Sequence, residues 1–170
     1  LPNTGKREPK EDPTWALTLS NEQKIAKAAI ATTPYTILLG QAGTGKTLLA
    51  CQIGLDMFAK RQIERIIITR PTVSTEQIGF LPGTEAEKME PWLVPIRSNL
   101  AKVAREGTAK IDKMEKAKEI EVVSLAHFRG RTFEDALVIL DESQNLTRSQ
   151  FIMAVGRLGK NSKMIFCGDV

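Results

Sequence analysis

Residues 40–47, Gly40-Gln41-Ala42-Gly43-Thr44-Gly45-Lys46-Thr47, carry the spacing G-x-x-x-x-G-K-[ST] in full. Each residue type has a separate job in that pattern. Glycines let the backbone curl until its N–H groups point inward at phosphate oxygens. A helix starting at the end of the loop adds the partial positive charge of its N-terminus. The Lys46 ammonium reaches the β- and γ-phosphates, and the Thr47 hydroxyl ligates magnesium. Gly40, Gln41, Ala42, Gly43, Thr44, Gly45, Lys46 and Thr47 are therefore the expected binding loop for ATP with Mg2+, the Walker A element of such a site.

A loop of this kind needs an acidic partner delivered by another strand. Ala136-Leu137-Val138-Ile139-Leu140 is an apolar run that ends in Asp141-Glu142. A buried strand there carries both carboxylates to the C-terminal edge of a sheet, where ligands bind in open α/β folds. Asp141 is the expected magnesium ligand, with Thr47, and Glu142 the base that polarises the attacking water. Taken alone, two acids after a strand are as readily a strand end meeting solvent. Paired with an intact phosphate loop they read as Walker B.

Gln23 has two readings of equal weight. It is the third residue of a capping box, and its amide also offers the donor and acceptor that suit adenine. Arg70, Arg129, Arg131 and Arg157 sit in loop-edge settings, open to three roles: arginine finger, clamp on nucleic-acid phosphate, or plain surface charge. Arg129 and Arg131 are the first finger candidates because Gly130 between them permits a projecting turn, and Arg157, near a helix end, is the second.

The elements that must position these groups alternate along the chain. Ser20-Asn21-Glu22-Gln23 has the S-x-x-Q form of a capping box opening a helix. Residues 35–39 predict a short buried strand before the glycines, and a helix follows from Lys46 to about Lys60. Residues 66–69 predict the next strand, ended by Pro71. An irregular excursion is expected over 72–108, with Gly79-Phe80-Leu81-Pro82-Gly83 as a turn and a helix broken by Pro91 and Pro95. Residues 109–118 predict a charged, solvated helix, 120–125 and 136–140 strands, 147–158 a helix opened by a Thr147–Gln150 capping box, and 164–167 a last strand. Strands joined through helices rather than hairpins argue for an α/β fold: a mostly parallel sheet with helices on both faces.

Composition narrows the class. The chain has 170 residues, room for one domain, with 42% hydrophobic and 26% charged residues. A flexible lead-in is expected over 1–14, where Pro2, Pro9 and Pro13 stand among charges, and an ATPase domain over 15–170. Leu1-Pro2-Asn3-Thr4-Gly5 has the letters of a sortase cell-wall motif without an apolar anchor behind it, and reads as coincidence. No apolar stretch is long enough to span a bilayer and no signal pattern opens the chain, so a cytoplasmic location is the default. Cys51 and Cys167 lie in apolar runs with no metal-ligand spacing and read as buried, reduced residues. His127 is the only histidine. The net charge of +4 suits nucleic acid and suits a bound nucleotide equally well.

At these residues the sequence resembles the PhoH-like ATPases, a family related to superfamily-one helicase cores. The matching stretches are residues 40–47, Ile68-Thr69-Arg70-Pro71, Ile78-Gly79-Phe80-Leu81-Pro82-Gly83, Glu87-Lys88-Met89-Glu90-Pro91-Trp92, Arg129-Gly130-Arg131-Thr132-Phe133, Asp141-Glu142-Ser143-Gln144-Asn145 and Lys163-Met164-Ile165-Phe166-Cys167-Gly168-Asp169. The resemblance implies a RecA-like P-loop NTPase core in which the strand ending at Asp169 lies between those of the phosphate loop and of Asp141. It implies a sensor role for Asp169 and a coupling role for Gln144 near the γ-phosphate. Ring-like homo-oligomers, with hexamers as one candidate size, and single-stranded RNA as a partner are further implications. Two departures stand out: the excursion before Ile120 is short for the family, and the chain stops before the Gln expected after Gly168-Asp169. The chain is expected to be a fragment of a longer protein.

Two functions follow. One is an ATPase that couples turnover to RNA binding or remodelling as an oligomer, helicase-like in the fullest case. The alternative is an ATP-driven regulatory switch that acts on a protein partner and moves no nucleic acid.

Overall fold

The computed structural model describes residues 14, 15, 17–71 and 85–170. The readings made on residues 1–13, and on the 79–83 turn within the excursion, lie outside the described residues.

Among the described residues five parallel strands form one sheet: β1 (Tyr35–Gly40), β2 (Arg65–Thr69), β3 (Ile120–Val122), β4 (Ala136–Leu140) and β5 (Lys163–Asp169), in the spatial order β1-β5-β4-β2-β3. The last strand thus inserts between the strand of the glycine loop and the strand of Asp141, as the family resemblance implied. Register aligns the ends that matter: Gly40 faces Asp169, Leu140 faces Phe166, and Thr69 faces Leu140. With every strand parallel, all the C-terminal ends open on one edge.

Side chains alternate between two cores because the strand period is two. Ile66, Ile68, Leu137, Ile139 and Ile165 pack beneath α1 (Asn21–Thr32), α2 (Lys46–Ala59), α3 (Glu85–Val103) and α4 (Gly107–Lys116). Ile67, Val138, Leu140, Met164 and Phe166 face the other way. They pack on the 3-10 turn Leu125–Phe128 and on α5 (Arg148–Val155). Helices therefore cover both faces, the expected α/β arrangement.

Both capping boxes form. Ser20 and Thr147 each accept a bond from the backbone three residues on, and Gln23 and Gln150 each return one.

Four local expectations are corrected. The helix expected to break at Pro91 and Pro95 instead runs unbroken from Glu85 to Val103 with both prolines inside it. Leu93, Ile96, Leu100 and Val103 are buried at helical spacing, and that packing outweighs a cost of about 3 kcal/mol per interior proline. The helix at 107–116 is not simply solvated, for Ile111 and Met114 are buried. The strand from Ile120 stops at Val122 because pairing with β2 ends there, and the chain turns at once into Leu125–Phe128. β1 is not a buried strand. Among the described residues it pairs only with β5, and of its residues Leu38 alone is buried, while Ile37 and Leu39 are 57% and 62% exposed. An apolar run of that length looks the same at the centre and at the edge of a sheet.

Candidate nucleotide-binding site

The loop between β1 and α2 has the backbone its glycines allow. Gly43 and Gly45 hold φ of +79° and +78°, in the left-handed region that a side chain resists. Gly45 is also the N-cap of α2 and provides no side-chain acceptor. The first turn of a 14-residue helix therefore presents N–H groups that no side chain caps, an arrangement that favours an anion. A cleft of about 390 Å³ opens beside it, walled by Gly43, Gly45, Lys46, Thr47, Asp141, Glu142 and Asp169.

Lys46 lies across the mouth of the loop. Its Nζ donates to the carbonyls of Gly40 (3.1 Å) and Gln41 (2.8 Å) and to Thr44 Oγ1 (3.2 Å), and pairs with Asp169 Oδ1 at 3.0 Å. The ammonium is thus held where phosphates would arrive. Thr47 Oγ1 donates to Asp141 Oδ1 at 2.6 Å across 94 residues of sequence. That contact joins the hydroxyl and the carboxylate named as magnesium ligands. No group of three His, Cys, Asp or Glu suited to a metal occurs among the described residues. A hard cation here would take few protein oxygens and complete its shell with phosphate and water, as magnesium does.

Glu142 follows at the strand end with φ +51° and ψ +41°, an unusual conformation for a residue with a side chain. It is half-buried. Gln144 Nε2 donates to its Oε2 at 2.6 Å, and Gln144 Oε1 accepts from the Asp169 backbone N–H at 3.0 Å. One amide therefore ties the carboxylate after β4 to the tip of β5. The approach needs Gly168, where an added Cβ would stand 2.7 Å from Ser143 Oγ.

Arg70, at the end of β2, donates from Nη2 (2.6 Å) and Nε (3.2 Å) to Asp141 Oδ2 and lies 3.9 Å from Glu142 Oε1. It was one of several unassigned arginines in the sequence, and only the sheet order brings it to Asp141. Asn99 and Lys102 of α3 also line the cleft. No sequence motif marks them, and only the docking of α3 brings them to the cleft.

The remaining candidates lie further out. Gln23 Nε2 donates to the Thr44 carbonyl at 3.1 Å while its Oε1 accepts from Ser20 N, so its amide splices α1 to the loop. Arg131 pairs with Glu121 at 2.8 Å and stacks over Phe133. Arg157 Nε is buried without a partner among the described residues. Arg129 is exposed, at the C-terminal end of the 3-10 turn Leu125–Phe128. Beneath the site, burial pushes the Cys167 thiol up to about 12, Asp141 adding to the rise and Lys46 and a Thr47 hydrogen bond opposing it. Burial raises Cys51 further still. Both are free thiols. No helix among the described residues is long and apolar enough to cross a membrane.

A family model described as PhoH-like protein matches residues 17–170. A PhoH-like protein of Mycobacterium leprae is 45% identical over 133 residues, which cover 78% of this chain and 38% of that protein. The PhoH-like protein of Bacillus subtilis is 45% identical over 133 residues, covering 78% and 41%. Protein PhoH of Escherichia coli is 38% identical over 132 residues, covering 77% and 37%. The chain thus spans about two fifths of the length of these curated relatives. Among solved structures, the large terminase of a thermophilic bacteriophage superposes with a TM-score of 0.53 at 12% identity, covering 89% of this chain and 39% of that one, a likeness of fold.

Proposed function

The chain belongs to the PhoH-like protein family, and from that premise we propose that it binds ATP with magnesium and hydrolyses it. The observation that carries the reading is the convergence of Lys46, Thr47 and Asp141 at an uncapped helix N-terminus. In this reading the loop N–H groups and Lys46 hold the β- and γ-phosphates. Thr47 and Asp141 hold magnesium, which neutralises charge on the phosphate oxygens. Glu142 draws a proton from the attacking water, and Gln144 keeps that carboxylate in place. Asp169 reports the state of the γ-phosphate through its exchange of Lys46. The test is ATP turnover by purified protein with and without magnesium, against a Lys46→Ala control. Turnover equal in the two proteins overturns the reading.

The finer proposal couples turnover to single-stranded RNA in a homo-oligomeric ring. The net charge of +4 and the family resemblance support it. Each phosphate neutralised by Lys or Arg releases counterions, so binding to RNA should weaken steeply with salt. RNA that stimulates turnover supports this function. RNA that neither binds nor stimulates leaves the ATP-driven switch on a protein partner as the function of the same site.

A further inference from the structure

We infer that Arg70 is the cation that magnesium must displace, so that loading the metal is an exchange of partners at Asp141. The inference rests on the ATP–magnesium reading of the site. Asp141 is 4% exposed, and leaving a buried carboxylate charge without a partner is costly. Its two oxygens are both engaged: Oδ1 accepts from Thr47, and Oδ2 accepts twice from the Arg70 guanidinium.

The two contacts differ in what a metal does to them. A hydroxyl can donate its proton to one oxygen and offer a lone pair to a cation at the same time, so the Thr47–Asp141 bond survives metal binding. A guanidinium has donors only and full positive charge. It occupies Oδ2, so that neither oxygen of Asp141 is left open, and it would repel a divalent ion held beside it. Arg70 has an alternative within reach, since Glu142 Oε1 is 3.9 Å from its Nη2 and its side chain is 19% exposed. Once displaced from Oδ2, the guanidinium passes to Glu142. Arg70 is thus a positioning residue: it stabilises Asp141 before the metal arrives, and then steadies the base.

Arg70→Gln and Arg70→Lys, in the full chain, test this. Two quantities are measured against magnesium concentration: the thermal midpoint of nucleotide-free protein, and the fluorescence of bound methylanthraniloyl-ATP. Removing a unit charge a few Å from the metal should lower the half-saturating magnesium of Arg70→Gln about tenfold or more. Metal-free Arg70→Gln should melt earlier than wild type and regain the difference as magnesium is added. Arg70→Lys keeps the charge without the fork and should fall between the two. It decides the matter if Arg70→Gln does not fold in either buffer. A merely structural arginine would weaken magnesium dependence when lost. Half-saturation unchanged or raised in the variants overturns the inference. Wild-type protein that binds no nucleotide overturns the ATP reading instead, while a larger response of Arg70→Gln than of wild type to magnesium alone still supports the exchange at Asp141.

Discussion

Lys46 and Asp169 stand 3.0 Å apart as an ion pair between the start of α2 and the tip of β5, and a nucleotide phosphate would compete with it for the ammonium. The pair is largely sheltered on the lysine side, at 13% side-chain exposure, and more open at Asp169, at 34%. Lys46→Ala should abolish measurable ATP affinity and turnover together. Asp169→Asn should do the reverse to binding: the ammonium loses its competitor, and affinity rises a few-fold while turnover falls. Equilibrium binding by calorimetry checks both, and weaker binding by Asp169→Asn would show that the carboxylate serves the nucleotide directly.

Glu142→Gln separates binding from chemistry. The amide keeps size and hydrogen bonding but cannot take a proton, so ATP affinity should hold while turnover drops about 10²-fold or more. Gln144→Ala should leave affinity alone and lower turnover by a smaller factor, because it frees the carboxylate that Gln144 holds at 2.6 Å. Single-turnover and binding measurements on the same preparations distinguish these outcomes.

A trans arginine predicts rescue on mixing. Of the candidates, Arg131 is spent on Glu121 and Arg157 Nε is buried, which leaves exposed Arg129 as the first choice. Exposed at the end of the 3-10 turn Leu125–Phe128, it is the candidate that a neighbouring copy could meet in a head-to-tail contact. Glu142→Gln and Arg129→Ala preparations should each be nearly inactive, and a mixture should recover turnover at shared interfaces, the arginine being worth about 10³–10⁵ in rate. Turnover independent of protein concentration, with no rescue, would show a self-sufficient monomer.

Alkali should destabilise the fold through its buried thiols. Both folded-state values lie above the ordinary thiol value of 9.0, Cys167 at about 12 and Cys51 higher. The folded protein therefore keeps protons that the unfolded chain releases. The contribution is complete below about pH 9 and is lost as pH rises toward 12, by up to about 1.4 kcal/mol per pH unit for each thiol. Denaturant unfolding at pH 8 and pH 10.5 checks this, with Cys51→Ala and Cys167→Ala expected to flatten the slope. The native protein should also resist iodoacetamide at neutral pH.

The local geometry at 40–47 and at Asp141-Glu142 was legible in the sequence because it depends on consecutive residues. Positive φ at Gly43 and Gly45, a lysine opening a helix, and acids ending an apolar run are all properties of neighbours in the chain. The capping boxes at Ser20 and Thr147 were legible for the same reason, and strand–helix alternation was enough to imply a parallel sheet. Tertiary structure decided everything that joins distant residues. Lys46 meets Asp169 across 123 positions only because β5 inserts beside β1, and Arg70 reaches Asp141 across 71 only because β2 lies beside β4. Insertion of that kind is set by how whole faces pack, not by any local pattern. The same global packing carries α3 through Pro91 and Pro95 and leaves the apolar run of β1 at an edge, because burial gained against distant elements overrides what a short window of sequence prefers.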